Sequence, residues 1–192
     1  MKPKKIISIL SIIFLGILFL GTFLLFSTKE LHCSLKEMLL EPGMIPEGWK
    51  FFYFISPPLL EKHGASEALG ITFTHNSDVT HHTVYFFRND LEALLYYAVN
   101  SLDFSSSDFT PNPRIEWTDI KDLNQRELSG DSARIKCMTG KDEFINGLCA
   151  AVIRYGPVIS AFYAPTNTEN MSLSEFKEAV ILIDHRISSC LK

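Results

Sequence analysis

Four side chains in this sequence can do sulfur chemistry: Cys33, Cys137, Cys149 and Cys190. Cysteine pairs serve metal chelation, thiol redox catalysis or structural cross-linking, and spacing separates the three. A structural zinc site wants four ligands with close Cys-x-x-Cys-type pairs, whereas Cys137 and Cys149 stand twelve positions apart with no second close pair. Dithiol redox catalysis wants Cys-x-x-Cys, which the sequence lacks. A cross-linked hairpin fits better. Cys137 falls near the end of one predicted strand and Cys149 near the start of the next, with turn residues Gly140, Lys141, Asp142, Asn146 and Gly147 between them. Strand partners sit about 5.5 Å apart at Cα, within disulfide reach. Four cysteines admit three pairings; the hairpin favours Cys137–Cys149 and leaves Cys33 for Cys190.

Histidines are the second candidate. His75, His81 and His82 cluster around Asp78 in the stretch HNSDVTHH. Neutral imidazole is a common metal ligand, so these three are candidate ligands if a hairpin turns His75 toward His81 or His82. The alternative, and the preferred reading, is a solvated turn in which Asn76, Ser77 and Asp78 bond their own backbone. Neither a metal nor a cofactor is expected. Asp184 and His185 are adjacent on a predicted helix, where successive side chains diverge by about 100°, so they read as helix surface rather than as a triad pair. Gly-x-Ser-x-Gly, Ser-x-x-Lys, His-Glu-x-x-His and a Gly-rich phosphate loop are all missing. No catalytic residue is assigned, and the expectation is a protein that is not an enzyme. Asn170-Met171-Ser172 has the form of an N-glycosylation acceptor.

Which sulfur chemistry applies depends on compartment. Lys2, Lys4 and Lys5 precede an uncharged apolar run from Ile6 to Phe26, and 21 helical residues span roughly 30 Å, the thickness of a bilayer core. The following Ser27-Thr28-Lys29-Glu30 offers no small-x-small cleavage site. The sequence therefore predicts a cytoplasmic N-terminus (1–5), a transmembrane signal anchor (6–26), a short stalk (27–33) and one extracytoplasmic domain (34–192). The positive-inside tendency sets that orientation. All four cysteines then lie in an oxidising compartment, which favours disulfides.

The first 26 residues hold three of the 18 basic residues and none of the 22 acidic ones, leaving 15 against 22 and a net charge of −7 outside. Such a surface repels nucleic-acid phosphates, so no nucleic-acid partner is expected. The partners that remain are the membrane, through the N-terminal helix, and a protein or cell-envelope component.

The elements that must position these residues can be read from pattern. Ser34-x-x-Glu37 and Ser172-x-x-Glu175 are capping boxes that open helices. Phe176, Val180, Ile183, Ile187 and Cys190 form one continuous face on the second of these. Leu91, Leu94, Leu95, Ala98, Val99 and Leu102 predict an amphipathic helix from about 90 to 103 whose leucine stripe packs inward. One or two helical turns are expected over 58–62 and a surface loop over 104–113. Strands are predicted over 50–55, 68–75, 82–88, 114–120, 133–139, 148–154 and 158–163. The aromatic runs Phe51–Phe54 and Tyr85–Phe87 are expected to be core; left uncovered on one side, they would instead form an exposed apolar patch that marks a partner or apolar-ligand site. Strands outnumber helices and most connections are of hairpin length, so the fold class is α+β: a mainly antiparallel sheet packed by helices.

Pro46-Glu47-Gly48-Trp49 soon after the apolar segment resembles the start of many small exported bacterial proteins. The run Cys149, Arg154-Tyr155-Gly156, Val158, then a strand and a capped helix, is similar in layout to the PsbP-like α/β fold. It also resembles the related extracellular sensor domains of some bacterial receptor kinases. This resemblance covers roughly residues 34–190. It implies a curved antiparallel sheet between helices and a role in binding or assembly. The aromatic strands supply an alternative, a sensor or carrier for a small apolar ligand, and a third reading is a hydrolase built on an unrecognised site. The resemblance carries over no catalytic residue.

Overall fold

A computed structural model describes residues 31–55, 64–100, 115–120, 127–140, 147–166 and 171–191. The expected segments 1–5 and 6–26, most of the stalk, the turns at 58–62, the loop at 104–113, the tip of the cysteine hairpin and Asn170 lie outside these residues. Among the described residues no helix is long and apolar enough to cross a membrane.

Among the described residues seven strands form one antiparallel sheet: β1 (Lys50–Ile55), β2 (Glu67–His75), β3 (Asp78–Phe86), β4 (Ile115–Asp119), β5 (Ser132–Gly140), β6 (Leu148–Tyr155) and β7 (Val158–Pro165). Their order is β1-β2-β3-β7-β6-β5-β4. The first three strands make a meander. The chain then passes through helix α2 (Asp90–Asn100), starts again at the far edge with β4, and works back until β7 closes on β3. The two edges are therefore β1 and β4.

Helices cover both faces. The short helix α1 (Leu35–Met38) and the long helix α3 (Leu173–Cys190) lie on one face, over the main core. Phe73, Phe162, Phe176, Val180, Ile183 and Ile187 are essentially fully buried there, and the rings of Phe162 and Phe176 stack with centroids 5.3 Å apart. Burying each such side chain contributes about 1.5–3 kcal/mol. The Ser172 hydroxyl starts α3 by accepting from Glu175 N–H at 3.2 Å, while the Glu175 carboxylate accepts from Ser172 N–H at 2.6 Å. On the opposite face α2 packs over Val152, Ile159 and Ala161 in a smaller cluster. Because both faces are covered, β6 is an almost unbroken apolar run rather than an alternating one.

Two expectations about burial fail. Leu91, Leu94, Leu95 and Val99 of α2 point outward. The inward residues are Ala93 and Tyr97, with Tyr96 half-buried. The sheet face below is aromatic and cationic, and it selects rings. Tyr96 packs on Tyr85 and Phe87, with centroids 5.6 and 5.1 Å away, and Arg134 sits 5.5 Å from the centre of the Tyr97 ring. The second failure is the Phe51–Phe54 run, which is exposed because β1 is a sheet edge. In the other run only Phe87 is buried, with Tyr85 and Phe86 half-buried.

Candidate functional site

The sulfurs pair in the two expected combinations. Cys137 and Cys149 are direct partners in the β5–β6 register, with Cα atoms 4.0 Å apart. Cys33 is bonded to Cys190, Cα atoms 5.3 Å apart, and His32 N–H donates to the Cys190 carbonyl beside the bond. None of the four is free. Both bonds fit an oxidising compartment.

The three histidines do not come together. β2 and β3 are joined by a two-residue turn, Asn76–Ser77, with Asn76 in the left-handed region at φ 54°. That turn opposes His75 to Asp78, Thr72 to His81 and Ile71 to His82. The register puts His81 and His82 inside β3, facing opposite sides of the sheet. Among the described residues no group of three His, Cys, Asp or Glu side chains is placed to hold a metal. His75 instead packs on Trp49, ring centroids 5.7 Å apart. It is held there by the Pro46–Trp49 turn, in which Trp49 N–H donates to the Pro46 carbonyl and Gly48 takes φ 97°. His81 bonds Thr72 Oγ1 at 3.0 Å, and burial lowers its pKa.

His82 is the consequential one. It is fully buried in the main core layer. Leu40 N–H donates to its Nδ1 at 3.1 Å, and its Nε2 lies 3.0 Å from Ser160 Oγ. Since Nδ1 accepts, the neutral ring carries its hydrogen on Nε2 and donates it to the serine. Burial, reinforced by the charge of Arg186, lowers the His82 pKa to about 3. This core imidazole therefore pins the backbone of the segment after α1 to the centre of the sheet.

Asp184 also departs from the helix-surface reading. It is buried, and its carboxylate accepts from Ser129 N–H at 2.9 Å and from the Tyr155 hydroxyl at 3.0 Å. Burial, with the adjacent Asp184 carboxylate, pushes the Tyr155 hydroxyl far up. His185 remains exposed.

A cleft of about 600 Å³ lies between α1 and the β1 edge; the sequence pattern flags its aromatic wall as a patch if uncovered, but not the concavity that α1 makes with it. One wall is Phe51 and Phe54, the floor is Ile71, the other wall is Leu39, Leu40 and Pro42, and Ser34, Lys36, Glu37 and Glu41 form the rim. A β-bulge builds the aromatic wall. In an unbroken strand residues 51 and 54 would face opposite sides. Here Phe52 has no partner in the register, so Phe51 opposes Phe73 and Phe54 opposes Ile71, both on the main-core side. The two rings then meet with centroids 5.1 Å apart.

Three contacts hold the α1 wall in place besides the Cys33–Cys190 bond. Arg186 on α3 donates to the Glu37 carbonyl at 3.0 Å, to Glu41 Oε1 at 2.8 Å and to Met44 Sδ at 3.4 Å. At the N-terminus of α1, Glu37 Oε2 accepts from Ser34 N–H at 2.7 Å and from Ser34 Oγ at 2.9 Å. These bonds lower the Glu37 pKa. Both rim carboxylates are thus engaged, and Lys36 Nζ lies over the Phe54 ring, 5.6 Å from its centroid. No sequence motif marks this site, because its walls come from two segments with ordinary apolar composition.

These features define an α+β domain with helices on both sides of an antiparallel sheet, closed by two disulfides. No protein family matches the chain, and no curated protein matches it. Its fold is similar to that of the extracellular domain of PknH from Mycobacterium tuberculosis, with a TM-score of 0.52 at 11% sequence identity. The likeness covers 83% of this chain and 98% of that one. At this identity it concerns the fold. It falls on the kinase extracellular domains of the sequence resemblance and lends no support to the PsbP-like part.

Proposed function

We propose that this chain is a non-enzymatic extracytoplasmic domain, anchored in the membrane by residues 6–26, that binds a protein or cell-envelope partner through the α1–β1 cleft. The observation that carries this reading is the cleft itself. Four consecutive aromatics on a sheet edge, Phe51, Phe52, Tyr53 and Phe54, are each between 43% and 63% exposed, and two of them line a concavity of binding-site size. The two disulfides and the fold shared with an extracellular domain support the compartment. The rim carboxylates are committed to capping and ion pairing, which supports binding rather than hydrolysis.

The test is a photo-crosslinking residue in place of Phe52 in the full chain, activated in the native envelope. A discrete adduct is expected that vanishes in the Phe51→Glu/Phe54→Glu variant and persists with Leu95→Glu on α2. Equal adducts in all three backgrounds would overturn the reading.

A further inference from the structure

Resting on the reading of residues 6–26 as an anchor and of the α1–β1 cleft as a binding site, we infer that the partner of this edge is the lipid bilayer that holds the anchor. The aromatic rings of β1 seat the domain in the headgroup layer of its own membrane. The tether decides which end of the domain lies near the bilayer. Four residues, 27–30, separate the apolar run ending at Phe26 from Leu31, whose side chain packs against the main core. Five chain steps reach at most about 18 Å, and the headgroup layer takes up roughly 5–8 Å of that distance. Ser34 follows three positions on and lines the same cleft as Phe51 and Phe54. The aromatic edge therefore belongs to the membrane-proximal end.

That edge carries rings on both of its sides. The bulge leaves Phe51 and Phe54 on the main-core side, while Tyr53, opposite Thr72, faces the other way. Phe52 is 63% exposed and packs edge-on against Tyr53, ring centroids 4.8 Å apart. A ligand in the cleft would touch Phe51 and Phe54 alone, whereas a fluid interface surrounds all four rings, as aromatic belts do at bilayer surfaces. The contact is shallow. As the outermost strand, β1 has outward backbone groups with no strand partner among the described residues, and these must stay hydrated. It is also apolar in origin. Residues 27–192 carry a net charge of −7, and Glu37 and Glu41 flank Lys36 on the rim, so anionic lipid adds no attraction. The other exposed apolar stripe, Leu91, Leu94, Leu95 and Val99, lies on α2 across the sheet from α1, and it supplies the control.

An added indole reports the contact. Phe52→Trp and Leu95→Trp are made in the full chain and reconstituted in phosphatidylcholine vesicles whose acyl chains carry bromine either near the headgroup or near the methyl end. The unsubstituted chain is the baseline for Trp49 and Trp117. Phe52→Trp is expected to lose fluorescence to the shallow bromines and far less to the deep ones, and Leu95→Trp to neither. Adding Phe51→Glu/Phe54→Glu should abolish the loss, and exchanging part of the lipid for phosphatidylglycerol should not increase it. Equal quenching at the two positions, or quenching that needs the anionic lipid, overturns the inference. If Phe52→Trp is not quenched while the Phe52 crosslink joins a protein, a second copy included, the lipid is wrong and the cleft reading stands. If neither signal appears, both fall. A chain that leaves the vesicles on alkaline carbonate extraction overturns the anchor on which the inference rests.

Discussion

Acid should loosen this domain chiefly through one buried imidazole, His82. His82 is neutral in the folded chain, where burial holds its pKa near 3, but it returns to an ordinary value of 6.5 on unfolding. Below pH 6.5 the unfolded chain therefore takes up a proton that the folded chain refuses. The sign follows: stability is intact above pH 6.5 and falls as the pH drops toward the folded pKa. The slope is about 1.4 kcal/mol per pH unit. The full gap between 6.5 and about 3 corresponds to about 5 kcal/mol.

The informative variant is His82→Asn, whose Oδ1 can still accept from Leu40 N–H and which does not titrate. It loses the Ser160 bond and the edge-on contact with Phe162, a cost of about 2 kcal/mol at neutral pH. Urea unfolding followed by tryptophan fluorescence should show the wild type ahead at pH 7.5. The gap should shrink by about 2 kcal/mol between pH 6.5 and 4.5, with the curves crossing at about pH 5. Subtracting the two curves cancels the other histidines, including His81. A gap that stays constant with pH would refute the argument. So would a His82 C2 proton resonance that titrates near pH 6.5 in the folded protein.

Other expectations rest on other contacts. Asp184→Ala should cost about 3 kcal/mol by leaving Tyr155 Oη and Ser129 N–H without their acceptor. Tyr155→Phe should cost about 1 kcal/mol, since the carboxylate keeps its backbone donor; equal losses in denaturant midpoints would show that the carboxylate is not the organising group. Cys137–Cys149 closes a short loop, and removing it by paired serine substitution should cost about 3 kcal/mol. Removing Cys33–Cys190, which spans 157 positions, should cost about 5 kcal/mol by the same loop-closure reasoning. Thermal scans that rank the two pairs in reverse would contradict it. Gly48→Ala should lower the midpoint, because a Cβ would approach His75 Nε2 to 2.9 Å at a backbone φ of 97°; an unchanged midpoint would mean the turn relaxes freely.

Much of the fold was legible because its signals are local. Both capping boxes, the strand runs and the apolar face of α3 are written in adjacent or evenly spaced residues. The hairpin disulfide was legible for the same reason, since strand register and turn residues place Cys137 opposite Cys149. What failed was the choice between two faces. The α2 helix has leucines on one side and tyrosines on the other, and only the sheet beneath it, with Arg134 and Phe87, decides that the tyrosines go in. The cleft was hidden twice. It joins residues 34–42 to Phe51, Phe54 and Ile71, and its aromatic wall depends on a bulge at Phe52 that reverses the parity read from simple alternation. The sequence pattern starts this strand at His82, beside a solvated turn, whereas the turn is only two residues long and β3 starts at Asp78, which carries His82 into the middle of the sheet.

The bond between Cys33 and Cys190 has a mechanical meaning. It joins the point where the chain enters the domain to the end of its last helix. A pull applied before Cys33 and after Cys190 therefore runs through one covalent link and bypasses the sheet. The strands, the core and the cleft hang beside the load path as a closed loop. Under tension this domain should extend little, because the covalent link and not the sheet carries the force.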